Sequence, residues 1–270
     1  MMKAPVIALL TDYGGQDFFA ASLKAVILSI QPEAQVVDIT HAVRSFDVRE
    51  GSFILFGCYR FFPSGTIFVV VVDPGVGTSR PVLLVKTSKY YFIAPDNGVL
   101  SYVLDADQPE RIIRLNNEKF FLAGVGRTFE GRDKMAPAAA WLSHGCPLEE
   151  FGPPLRSFKK FKILRPRFFD DSIVGHVLSI DKFGNYITNI PSQSVSRLLG
   201  KKGTTPALKL GKAVTTSFRE TFASSKKGEL FFLPGSLGTI EVARRESSAF
   251  ASLKVKPGAR VEISLKSRRT

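Results

Sequence analysis

Four consecutive valines, Val69 to Val72, run directly into Asp73-Pro74-Gly75-Val76-Gly77-Thr78-Ser79-Arg80. A β-branched run without a polar break has no face to offer water. It predicts a strand covered on both sides, as inside an α/β sheet. Pro74 ends the strand and removes a backbone donor, and the two glycines permit a tight turn and close approach of a ligand. Open α/β sheets bind ligands beyond the carboxyl ends of their strands, so Asp73 and Arg80 stand where a site would form. A turn carrying a surface ion pair explains the same letters, and this segment alone leaves both readings open.

The flanking chain repeats the layout. Val6-Ile7-Ala8-Leu9-Leu10 predicts a strand, and Thr11 to Asp17 a loop. Phe19, Leu23, Val26, Ile27 and Ile30 then recur at helical spacing until Pro32. A strand at Val36 to Thr40 and a helix from Val48 to Phe62, stopped by Pro63, complete a βαβ pattern. Strands at Val82 to Thr87 and Tyr90 to Ala94, a short helix from Gly98 to Leu104 and a helix between Gly131 and Gly145 follow. Past Phe151 the composition changes to Gly152-Pro153-Pro154 and a basic stretch, which reads as a linker. Short runs at Ile173 to Ile180, Leu230 to Leu233, Thr239 to Val242 and Arg260 to Ile263 then predict strands separated by turns. The expected fold is an α/β domain over 1–155 with a mostly parallel sheet flanked by helices. A linker over 156–169 leads to a smaller all-β domain over 170–270.

Charge and composition narrow the function classes. The net charge of +13 raises nucleic acid as a partner. Its clusters, such as Lys159-Lys160, Lys201-Lys202 and Arg268-Arg269, fall in turn-like or terminal stretches and read as solvated loops. With 23 Phe and one Trp, the aromatic mass suits a core more than a base-stacking platform. Cys58 and Cys146 have no metal or disulfide spacing, so a reducing, cytoplasmic setting without metal is expected. No apolar run approaches the ~18 residues of a membrane span.

Carboxylates beside glycine recur at strand ends: Asp12, Asp73 and Asp96, with Glu130 and Asp133 in Thr128-Phe129-Glu130-Gly131-Arg132-Asp133 and Asp181 in the β domain. Any one of them could be a turn former; their recurrence points to a site. No phosphate-binding fingerprint accompanies them, and none of the three His residues has metal spacing. An acid-rich site can hold a ribose diol, bind a cation such as a sulfonium, or take a proton from water, and the residues alone leave these open.

Six segments taken together resemble one family. They are Leu10-Thr11-Asp12-Tyr13-Gly14, Val37-Asp38-Ile39-Thr40-His41, Tyr59 to Thr66, Val72 to Gly77, Ala94-Pro95-Asp96-Asn97-Gly98 and Phe183 to Pro191. In order and spacing they are similar to the S-adenosylmethionine hydroxide adenosyltransferases, relatives of the fluorinases and chlorinases. The resemblance implies a homotrimer with sites shared between subunits. It also implies hydrolysis of S-adenosylmethionine to adenosine and methionine, with no metal and no cofactor beyond the substrate. It puts Asp12 on the ribose hydroxyls and Phe46 against the adenosine or methionine portion. It makes Asn97 and Phe129 substrate contacts, and gives Asp181 and Asn185 the methionine end and the adenine face in an unassigned division. Ser236 falls at a methionine-carboxylate position and Arg244 near the adenine edge. Asp73 and Arg80 match two members of an Asp-Arg-His water-handling triad, and the halide-using relatives lack that Asp.

The third member departs from the pattern, with Glu130 where the family has His. Two carboxylates sharing Arg80 predict a net negative site, with Glu130 as general base toward water. A structural pairing of Glu130 with Arg80 or Arg132 is the plainer alternative. At the level of function the alternatives are an adenosyl-ligand binder with weak or no turnover, a changed nucleophile and, lower, a nucleic-acid binder or a metal phosphohydrolase.

Overall fold

The computed structural model describes residues 4–124, 128–199 and 204–267. The chain forms two compact units, Met1–Lys162 and Ile163–Thr270.

The first unit is built from β1 (Val6–Thr11), α1 (Phe19–Ile30), β2 (Gln35–Thr40), α2 (Val48–Cys58), β3 (Ile67–Val71), β4 (Val82–Lys86), β5 (Tyr91–Pro95), α3 (Ser101–Ala106), β6 (Arg111–Arg114) and α4 (Ala136–Ser143). Its six strands lie in the order β2-β1-β3-β5-β4-β6. The pairs β1–β2, β1–β3 and β3–β5 are parallel, and β4 runs antiparallel to β5 and β6. Alternation along the buried strands explains the unbroken valines. Ile7, Leu9, Val69 and Val71 face one core with Leu23 and Ile27 of α1 and the alanines of α4. Ala8, Leu10, Val70 and Val72 face the other, with Leu55 of α2 and Leu104 of α3. Both faces are covered, so no strand position needs a polar residue.

Two predicted helices are broken in instructive ways. The helix expected through Phe62 ends at Cys58 and tightens into a 3-10 turn, Tyr59–Phe61. Phe62 is already extended, at ψ 152°, as the residue before a proline favours. The helix expected from Gly131 begins as a π-helical turn, Gly131–Met135, before α4. Pro137 has no N–H to give to the Asp133 carbonyl, and Leu122 N–H donates to that oxygen instead, at 2.9 Å.

The second unit contains β7 (Arg167–Phe168), β8 (Ser172–Ile180), β9 (Tyr186–Pro191), α5 (Ser192–Leu199), β10 (Thr204–Leu210), β11 (Ala213–Thr215), β12 (Leu230–Pro234), β13 (Thr239–Arg244), α6 (Ala249–Leu253) and β14 (Arg260–Ser267). One antiparallel sheet runs β11-β10-β14-β8-β9-β13-β12, with β7 on β8. The chain after β11 reaches β12 through Phe232 N to Ser217 O and Arg219 N to Phe232 O, both 3.0 Å. The sheet thus curls into a near-barrel around Val177, Tyr186, Phe232 and Val261. No described helix is long and apolar enough to cross a membrane.

Candidate active site

The carboxyl ends of β1 and β3 are neighbours, because Thr11 pairs with Val71. The sheet therefore brings the Asp12 loop beside Asp73. After Asp73 the backbone turns sharply, with Thr78 Oγ1 donating to Gly75 O at 2.7 Å and Gly77 at φ 81°. This turn returns Arg80 to Asp73. Arg80 Nε donates to Asp73 Oδ1 at 2.9 Å, and Nη2 bridges Asp73 Oδ2 and Glu130 Oε2. The Arg80 and Asp73 side chains are each 5% exposed and that of Glu130 6%. Arg80 Nη1 is buried with no partner among the described residues.

Glu130 meets the plainer of the two expectations set by the sequence. It pairs with Arg80, while Arg132 pairs with Asp133. Its other oxygen is taken by Lys134, one helical turn on. Two carboxylates thus meet two cations, and the charge-balanced cluster replaces the net negative site predicted from Arg80 alone.

Asp73 and Glu130 border a cavity of about 590 Å³, whose lining also includes Asp12, Tyr13, Phe46 and Phe129. Its size falls in the ~300–1,000 Å³ range of small-molecule sites. Asp12 Oδ2 accepts the Phe46 N–H at 2.8 Å. Phe46 is held at φ 68° and left 68% exposed. A bulky residue in that conformation is strained, and such strain gathers at ligand sites. Phe129 packs edge-on against Tyr13 and Phe19, at 5.5 and 5.2 Å between ring centres. Asn97 lies outside the cavity lining. Its amide nitrogen donates to Val72 O at 2.8 Å and its oxygen accepts Val99 N–H at 3.0 Å, so it braces the strand end that carries Asp73.

In the second unit, Asp181 Oδ1 accepts N–H bonds from Phe183 and Asn185 at 2.9 and 2.8 Å, and Oδ2 accepts from Asn185 Nδ2 at 2.9 Å. Asn185 and Arg244 share a hollow of about 520 Å³ with Phe183 and Phe222. Arg244 Nη1 donates to Gly228 O at 2.7 Å. Ser236 donates its backbone N–H to Glu241. Burial, and then the nearby Asp181 charge, push the Glu241 carboxyl above its usual range. Among the described residues no group of three or more His, Cys, Asp or Glu could hold a metal ion.

Family models cover both units. Residues 7–152 match the SAM hydroxide adenosyltransferase N-terminal domain, and residues 175–262 match the C-terminal domain of the same family. The chain belongs to the SAM hydroxide adenosyltransferase family. Within it, the chain is 32% identical to the (R)-S-adenosyl-L-methionine hydrolase of Thermus thermophilus, covering 95% of this chain and 98% of that protein. It is 28% identical to the fluorinase of Nocardia brasiliensis, covering 97% of each. A crystal structure of an uncharacterized conserved protein from Thermotoga maritima superposes with a TM-score of 0.90 at 38% identity, over 96% of this chain and 99% of that one.

Sequence reasoning missed Lys134, Tyr13 and Glu241. Lys134 was the legible one, because Glu130 and Lys134 have the i,i+4 spacing of a helical ion pair. The helix predicted from Gly131 left Glu130 just outside it.

Proposed function

We propose that this protein hydrolyses S-adenosyl-L-methionine, transferring the 5′-adenosyl group to water and releasing adenosine and methionine. The observation that carries the reading is the buried Asp73–Arg80–Glu130 cluster on the wall of a cavity that also presents Asp12. In the proposed reaction a water oxygen attacks C5′. The C5′–O bond forms as the C5′–S bond breaks, and the electron pair stays on sulfur as neutral methionine. The proton that water loses passes to the Asp73–Glu130 pair and on to solvent. A sulfonium is already a good leaving group, so the main contribution is to hold water in line with the C–S bond and keep bulk solvent away.

Residue roles follow from chemistry and position. Asp12 accepts hydrogen bonds from the ribose hydroxyls, while Phe46 and Phe129 pack on the nucleoside. Asp73 and Glu130 accept the hydrogens of the attacking water, and Arg80 fixes both carboxylates. A carboxylate at position 73 repels halide and accepts from water, which favours hydrolysis over halogenation. Asp181, Asn185, Ser236 and Arg244 hold the remaining parts of the substrate. The family resemblance also carries a homotrimer with sites shared between subunits and a cytoplasmic location. Sedimentation at three chain masses is the outcome expected for the trimer.

Incubation with each sulfonium epimer separately, followed by chromatography for adenosine, tests the activity. Because the relatives are named for the (R) form, that epimer is expected to be the better substrate, and chelator is expected to leave the rate unchanged. An adenosyl-ligand binder without turnover would retain the compound and release no adenosine.

A further inference from the structure

Water presents two hydrogens and two lone pairs. The Asp73–Glu130 pair can accept the hydrogens, but a carboxylate cannot fix a lone pair. A donor beside Asp73 would hold one lone pair and leave the other for attack on carbon. Tyr13 fits that requirement. Its ring is set between Phe19, at 5.6 Å, and Phe129, at 5.5 Å, and it lines the cavity with Asp12 and Asp73. Its hydroxyl reaches the backbone of Gly131, where an added Cβ would stand 2.4 Å from the oxygen. Only glycine at 131 leaves the hydroxyl its place. The backbone N–H of Tyr13 donates to Thr11 Oγ1 at 3.2 Å. Burial, then Asp12, Asp73 and Asp133, raise the pKa of the hydroxyl, so it keeps its proton and remains a donor.

We propose that Tyr13 is a further catalytic residue, its hydroxyl donating to the attacking water and orienting the second lone pair toward C5′. The proposal rests on the hydrolytic reading above. Tyr13 exchanges no net proton. It supplies orientation, so its loss belongs in kcat more than in KM.

Adenosine release is compared in the wild type, Tyr13→Phe, Gly131→Ala and the double variant, with thermal midpoints measured alongside. Tyr13→Phe removes one oxygen and keeps the ring. It is expected to lower kcat roughly 10- to 100-fold with KM within about threefold, the scale of a misplaced reactant. Gly131→Ala leaves the hydroxyl in the molecule but displaces it, and is expected to give a similar loss. If both act on the same hydroxyl, the double variant loses no more than either single one. A wild-type protein that forms no adenosine overturns the hydrolytic reading and this assignment with it. A turning-over wild type whose kcat survives Tyr13→Phe overturns the assignment alone, as does full multiplication of the two losses in the double variant.

Discussion

Each unit sets two carboxylates close together, and the two units settle the charge differently. In the first, Asp73 and Glu130 are bridged by Arg80, with Lys134 balancing the second oxygen of Glu130. In the second, Asp181 relies on N–H groups from Phe183 and Asn185. Glu241 accepts from the Ser236 backbone, and neither acid is in an ion pair among the described residues. The first arrangement fixes both acids in place between two cations. The second leaves one carboxyl, Glu241, resisting ionisation, and serves to shape a turn. Cations thus mark the acidic cluster of the first unit, and backbone donors that of the second.

The strongest blow to this contrast is Arg80→Met. It leaves two buried carboxylates facing each other, with an expected loss of about 3–5 kcal/mol in denaturant unfolding. Adenosine formation should fall by at least ~100-fold. The matching change in the second unit, Arg244→Met, removes one bond to a carbonyl and is expected to cost about 1 kcal/mol. Equal penalties would erase the distinction. Next in size is Asp12→Asn. The amide oxygen can still accept from Phe46, but the charge proposed to hold the ribose is gone. A KM increase of roughly 10- to 100-fold is expected, from the ~1.5–3 kcal/mol of a charged hydrogen bond.

Lys134→Met sharpens the first half of the comparison. The Lys134 side chain is 32% exposed, so stability should change by less than ~1 kcal/mol. The activity should nevertheless drop measurably, because Glu130 loses the partner that balances it. Unchanged kinetics would mean that Arg80 alone suffices. The smallest effect belongs to Glu241. Its folded pKa is raised, so its contribution is full below the unfolded value near ~4.3 and is lost as pH rises through the folded one. Glu241→Gln removes that decline. Melting curves should show the variant slightly more stable than the wild type at neutral pH, and level with it in acid.

The elements visible in the letters were those whose burial follows a simple period. Phe19–Ile30 is helical over the predicted span, and the valine run is a strand with both faces covered. Elements with few buried positions were illegible. Helix α5 buries only Val195 and Leu198, and β6 reads Arg-Ile-Ile-Arg at a sheet edge. The Asp73–Arg80 pair was legible because a tight turn joins its members. Lys134 was hidden by a helix boundary placed one residue late. Nothing local could reveal Tyr13, because its hydroxyl depends on a glycine far along the chain.

The central claim is that a solvent oxygen ends on C5′ of the adenosyl group. Turnover in water enriched in oxygen-18, with mass spectrometry of the adenosine, reads this directly. The account predicts one heavy oxygen per adenosine, located at the 5′ position, in wild type and in any variant that still turns over. Adenosine carrying no label, or loss of the substrate to another nucleoside product, would contradict it.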